Sequence, residues 1–124
     1  MLKTGKTGTS KTVVTEKNTA KAVGSGSLNV FATPMMIALM EEAACDCLSD
    51  SLEQGQTSVG TQISVDHTAA SSLNKEITAI AEITSTDGKK IVFDVVAMCC
   101  DVKIGSGTHT RFIVDAKRFM ERTG

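Results

Sequence analysis

The stretch Val30-Phe31-Ala32-Thr33-Pro34-Met35-Met36-Ile37-Ala38-Leu39-Met40-Glu41-Glu42-Ala43-Ala44 carries a helix start at Thr33-Pro34. Threonine is a good N-cap, and proline fits the first helical position, where an N–H would be unpaired anyway. The next two turns are apolar on nearly every side, so the helix is expected to have no wet face and to be wrapped by the rest of the chain. Two carboxylates then appear in it, and a charge on a wrapped helix is costly unless it has a partner or a task. Residues three, four and seven apart share a helix face. Glu41 falls on the row Ile37, Glu41, Cys45, Leu48, and Glu42 on the row Ala38, Glu42, Asp46, Ser49, close to Asp50 and Glu53. Glu42 therefore reads as solvated. Glu41 reads either as a border residue of the apolar stripe or as a functional carboxylate.

Outward from this stretch, Gly55 is a plausible C-cap, which gives a helix over about residues 34–53. On the N-terminal side, residues 9–15 alternate loosely and fit a first strand, with about residues 1–7 expected to be mobile. Val23-Gly24-Ser25-Gly26-Ser27 reads as a flexible connector. It leads into Leu28-Asn29-Val30-Phe31, an apolar approach suited to lying over a pocket as a lid. On the C-terminal side, residues 57–68 alternate, with Val59, Thr61, Ile63, Val65 and His67 on one face. His67 thus shares the core face, where a lone histidine is more often a hydrogen-bonded core residue than a catalyst. Residues 69–74 form a turn, and residues 76–84 a strand. Thr86-Asp87-Gly88 is a hairpin turn. Residues 90–100 are apolar on both faces, which suits a central or doubly covered strand. Residues 104–115 form the last long strand, with His109 and Arg111 on one face and Phe112 and Val114 on the other. Phe119 is expected to pack a short tail. One strand, one helix and four strands with short links make an α+β fold, with a curved antiparallel sheet of about five strands around one long central helix.

At 124 residues the chain is read as one domain, 1–124. The 41% apolar content suffices for a core, with six methionines and no Trp or Tyr. A small chain with an apolar helix often hides further surface in an oligomer. The formal net charge of −1, without a surface that mixes aromatic and basic residues, gives no indication of nucleic acid. The apolar run over residues 30–40 is too short to span a bilayer, and no signal-peptide pattern precedes it. No membrane association and a cytoplasmic location are expected. Cys45, Cys47, Cys99 and Cys100 lack the spacing of zinc ligands and read as buried free thiols, so no metal is expected.

Val30-Phe31-Ala32-Thr33-Pro34, Leu39-Met40-Glu41, Val59-Gly60-Thr61, Asp66-His67-Thr68-Ala69-Ala70 and Ile104-Gly105-Ser106-Gly107-Thr108-His109-Thr110-Arg111-Phe112 together resemble the fluoroacetyl-CoA thioesterase family of hot-dog proteins, over about residues 14–119. The resemblance implies an acyl-CoA thioesterase of hot-dog fold, acting as a homodimer or as a tetramer. It implies a catalytic threonine, glutamate and histidine at Thr33, Glu41 and His67. Gly60 would serve acyl recognition, and Arg111 and Phe31 would face the substrate. No cofactor is implied, since CoA is part of the substrate. The chain departs from the family in two places. Ser71-Ser72-Leu73-Asn74 stands where Pro-Gly is usual after H-T-A-A, and Cys99-Cys100 replaces an acidic pair.

Thioester hydrolysis needs an attacking oxygen, a base and donors for the oxyanion. The resemblance makes Glu41 the base or the nucleophile, His67 the proton shuttle and Thr33 the group that positions the carbonyl. Backbone N–H groups near Thr33 or Gly60 are the candidate oxyanion donors. Lys89, Lys90, Lys103, Lys117 and Arg118 are candidates to meet the CoA phosphates. A non-catalytic acyl-CoA-binding dimer and another hot-dog enzyme such as a hydratase are the alternatives, although the Asp/His motif of hydratases is not found. Thr33 and Glu41 stand about 12 Å apart along one helix. Either the thioester bridges that gap, or part of the site comes from the neighbouring subunit. In the hot-dog fold that the resemblance implies, His67 ends a strand near the dimer contact, so Glu41 of one subunit is expected to work with His67 of the other.

Overall fold

The computed structural model of the chain describes residues 2–124. Its elements run β1 (Thr7–Val13), α1 (Ala20–Val23), α2 (Thr33–Leu48), β2 (Gln56–His67), β3 (Glu76–Asp87), β4 (Lys90–Cys99), β5 (Val102–Asp115) and α3 (Ala116–Arg122). The strands form one antiparallel five-stranded sheet in the order β1-β3-β4-β5-β2, curled around α2. This is the expected hot-dog arrangement, and β4, apolar on both faces, is its central strand. Among the described residues no helix is long and apolar enough to cross a membrane.

The sheet covers one stripe of α2. Met36, Leu39, Met40, Ala43, Ala44, Cys47 and Leu48 are buried, at the three- and four-residue spacing of a single helix face. Facing them, Ile77, Ala79, Ala81 and Ile83 of β3 and Ile91, Phe93, Val95 and Ala97 of β4 alternate inward. The helix backbone touches β1 directly: a Cβ on Gly8 would lie 2.3 Å from the Ala43 carbonyl oxygen, so only glycine fits there. The expectation of a helix wrapped on all sides is corrected by this arrangement. Thr33, Pro34, Ala38, Glu42, Cys45 and Asp46 are exposed, because one sheet encloses only one side of a helix.

The helix ends at Leu48 and not near residue 53. The Ser49 N–H and hydroxyl both turn back to the Asp46 carbonyl, at 3.2 and 2.7 Å. Gly55, at φ 85°, reverses the chain into β2 instead of capping α2. Thr33 is not the cap either. Ala32 holds that position without a side-chain bond, which leaves the Thr33 hydroxyl free for another partner. The stretch read as a flexible connector, residues 23–27, begins at the last residue of α1, which is capped by the Thr19 hydroxyl at its start and by Gly24 in the left-handed conformation at its end.

In β2 the register against β5 shifts between Gly60 and Gln62, so Thr61 is an extra, bulged residue. The expected alternation fails there. Ser58 and Gly60 share the inner face with Ile63, Val65 and His67, while Val59 does not. Buried free thiols are also corrected: only Cys47 is buried, whereas Cys45 lies on the open flank of α2 and Cys100 sits exposed in the β4–β5 turn at φ 56°. Burial raises the Cys47 thiol above its ordinary pKa. Phe119 lies on α3 and is 37% exposed instead of packing the tail. Of the N-terminal segment expected to be mobile, Met1 lies outside the described residues. Leu2 packs against the core, and the Gly5 N–H donates to the Ile83 carbonyl at 2.8 Å. After H-T-A-A, Asn74 takes φ 73° and donates its N–H to the Val14 carbonyl at 2.8 Å, supplying the left-handed residue that a glycine would otherwise provide.

Candidate active site

The first turn of α2 and the end of β2 bring Thr33 and His67 together. The Thr33 Oγ1 lies 2.8 Å from His67 Nδ1, so the hydroxyl that does not cap the helix is spent on the imidazole. Both line a cavity of about 250 Å³, together with Val30, Phe31 and Ala69. Phe31 is 2% exposed and belongs to the core as well as to this wall. The segment read as a lid is tied on both sides here. The Phe31 N–H donates to the Ser71 carbonyl at 2.9 Å, and the Val30 carbonyl accepts from Ala20 at 2.8 Å. His67 Nε2 is buried and has no hydrogen-bond partner among the described residues. Burial pushes the imidazole below its ordinary pKa, and the Ala69 backbone carbonyl opposes this more weakly.

A second cluster forms at mid-helix. Glu41, with its side chain 40% exposed, receives a hydrogen bond from Arg111 Nη1 at 3.3 Å. Arg111 itself is 6% exposed and held by β2: Nε donates to the Ser58 hydroxyl at 2.9 Å and Nη2 to the Ser58 carbonyl at 3.0 Å. His109, 1% exposed, stacks against Phe93 with ring centroids 6.1 Å apart and places Nε2 at 4.0 Å from the Glu41 carboxylate. Gly60 makes room for all three. A Cβ there would lie 2.7 Å from Glu41 Oε2, 3.1 Å from Arg111 Nη1 and 3.1 Å from His109 Cε1. Glu42, one residue on, is exposed and bonds the Ser10 hydroxyl on β1, as its place on the wet row implied.

Of the residues singled out in the sequence, the structure therefore joins Thr33, His67 and Phe31 in one group, and Glu41, Gly60 and Arg111 in another. Among the described residues no hydrogen bond connects the two groups. His109 and Ser58 were missed as members of the second. The signal for His109 was its position two residues from Arg111 on the same strand face. Ser58 could not be found by alternation, because the bulge moves it to the inner face.

A family model described as fluoroacetyl-CoA-specific thioesterase, FlK, matches residues 14–117. A fluoroacetyl-CoA thioesterase of Streptantibioticus cattleyicolor is 40% identical over 90 residues, which are 73% of this chain and 65% of that protein. The match thus spans just under two thirds of that relative's length. The crystal structure of FlK superposes with a TM-score of 0.92 at 32% identity, covering 99% of this chain and 96% of that one. An FlK variant bound to fluoroacetate and CoA superposes with a TM-score of 0.89 at 33% identity, covering 95% of this chain and 99% of that one. A thioesterase superfamily member from Thermus thermophilus shares the fold, with a TM-score of 0.91 at 23% identity, covering 99% of this chain and 91% of that one. With its curled sheet around a single long helix and its match over residues 14–117, the chain belongs to the fluoroacetyl-CoA-specific thioesterase family.

Proposed function

We propose that the protein is an acyl-CoA thioesterase that hydrolyses a short acyl-CoA to the free acid and CoA, with Thr33, His67 and Glu41 as its reacting groups. The observation that carries this reading is the Thr33–His67 hydrogen bond of 2.8 Å at the wall of a cavity of about 250 Å³, in a chain of a thioesterase family. Thr33 positions the thioester carbonyl. As a base, Glu41 takes a proton from water as the water oxygen bonds to the carbonyl carbon. The C–S bond then breaks, and His67, whose burial favours the neutral ring, relays that proton from Glu41 to the departing sulfur. As a nucleophile, Glu41 bonds to the carbonyl carbon with its own oxygen, and the C–S bond breaks to release the thiolate. Water then hydrolyses the acyl–Glu41 anhydride, and His67 relays the water proton to the thiolate. The cavity's small size supports a short acyl group.

The acting unit is a homodimer joined through β2. That strand is an edge of the sheet, runs for 12 residues and carries no Lys or Pro to blunt its unpaired backbone. Glu41 of one protomer serves His67 of the other, consistent with the lack of any hydrogen bond between the two groups among the described residues of one chain. For the CoA phosphates, Lys89 and Arg118 are joined by Arg122 around one cavity of about 210 Å³.

Thiol release from purified protein, measured over acetyl-, fluoroacetyl- and progressively longer acyl-CoAs, tests the reading. Turnover that is highest for short acyl groups is the expected result. Flat traces throughout would assign the chain to non-catalytic acyl-CoA binding. Mixing Glu41→Gln with His67→Ala protomers tests the shared site: activity returns on subunit exchange if the pair crosses the interface, and mixed dimers stay inactive if it does not.

A further inference from the structure

Arg111 presents one N–H to the proposed catalytic carboxylate, and what fixes that N–H in direction is a buried histidine. The His109 Nδ1 lies 2.8 Å from the Gln62 backbone carbonyl. A carbonyl only accepts, so Nδ1 carries the proton. Burial holds the imidazole below its ordinary pKa, and the adjacent guanidinium acts in the same direction, against the weaker pull of the Gln62 carbonyl and the Glu41 carboxylate. The neutral ring therefore keeps its lone pair on Nε2, which lies 3.3 Å from Arg111 Nη1. Nη1 has two hydrogens, one for His109 Nε2 and one for Glu41 Oε2. With Nε and Nη2 both bonded to Ser58, four of the five guanidinium donors are engaged, and the plane of the group cannot rotate.

We propose that His109 is a positioning residue for the proposed thioesterase reaction: as a neutral acceptor it locks Arg111 so that Nη1 holds the Glu41 carboxylate at the reacting carbon. This rests on Glu41 being the reacting carboxylate. The groups packed around the imidazole leave it no competing role. Arg111 from β5 and Glu41 from α2 are the charged groups in contact, and Phe93 of β4 and Gly60 of β2 complete the enclosure without charge. At 4.0 Å, Glu41 is outside hydrogen-bond distance of Nε2, so His109 acts on the carboxylate through Arg111.

Two substitutions separate this role from simple space filling. His109→Gln carries an amide oxygen long enough to accept from Arg111. His109→Asn reaches only the Gln62 carbonyl and leaves Arg111 without its acceptor. His109→Asn is expected to lower kcat by about 10²-fold with KM changed by less than about threefold, and His109→Gln to stay within about tenfold of wild type, since displacement of a reacting group by an ångström is of this order. Equal kcat losses in the two variants, or a loss confined to KM, would overturn the proposal. A second measurement needs no turnover: the imidazole ¹⁵N resonances of the wild-type protein at neutral pH. They are expected to show Nδ1 protonated and Nε2 an unprotonated acceptor. A protonated Nε2 would overturn the proposal even in an active enzyme. The expected tautomer in a protein that hydrolyses no acyl-CoA would instead leave the arginine lock standing and remove the thioesterase reading.

Discussion

Gly60→Ala is the sharpest single perturbation that the geometry offers. The added Cβ would start 2.7 Å from Glu41 Oε2 and 3.1 Å from Arg111 Nη1 and His109 Cε1. Ordinary contact begins near 3.4 Å, so the carboxylate oxygen must retreat by about 0.7 Å and the other two groups by a few tenths. The retreat opens the 3.3 Å Arg111–Glu41 contact beyond hydrogen-bond length. If an ångström of misplacement costs about 10²-fold, kcat is expected to fall roughly 10- to 100-fold, which is about 1.4–2.7 kcal/mol of barrier. The fold should tolerate the change. Gly60 is not among the positive-φ residues, and the atom struck hardest is the end of a flexible side chain. Replacing glycine where alanine fits the backbone returns about 0.4–1 kcal/mol through the unfolded chain. The assay pairs steady-state acyl-CoA hydrolysis with a thermal midpoint on the same preparation. Full activity in a folded variant would refute the link between Gly60 and the Glu41 carboxylate. A fall in midpoint that accounts for the whole loss would equally refute it, because the residue would then act through stability alone.

Glu41→Gln is expected to lower turnover by about two orders of magnitude or more, and Glu42→Gln to leave it nearly unchanged, since Glu42 bonds Ser10 on the exposed side. Equal losses would contradict the assignment of faces. His67 and His109 both have pKa values below the ordinary 6.5 in the folded state. The unfolded chain therefore binds more protons between the folded and unfolded values, and stability should fall as pH drops below about 6.5 and level off beneath the folded values. Thermal midpoints from pH 7.5 to 5 check this, and His109→Gln should flatten the slope. Replacing Lys89, Arg118 and Arg122 together by alanine should raise KM for acyl-CoA several-fold while leaving an acyl-pantetheine substrate, which lacks the nucleotide, unaffected. Equal effects on both substrates would exclude a phosphate role for that cavity.

Local spacing was enough to identify the long helix, the succession of strands along the chain, the hairpin at Asp87-Gly88 and the solvated side of Glu42, because the 3.6-residue and two-residue periods are written directly into apolar positions. The family motifs added Thr33, Glu41 and His67 as a set, which periodicity alone does not provide. Tertiary structure decided the rest. Thr33 looked like a cap because the local sequence contains no information about His67, its hydroxyl's actual partner 34 residues away. The helix appeared enclosed because composition records that side chains are apolar, not how many sides a single sheet can cover. The bulge at Thr61 inverted the facing of β2 residues, since one extra residue shifts a period of two by half. That inversion brings Ser58 and Gly60 inward, and with them the Ser58–Arg111–His109 frame around Glu41. None of these contacts is local, and each depends on distances between strands and helix that the linear order of residues does not contain.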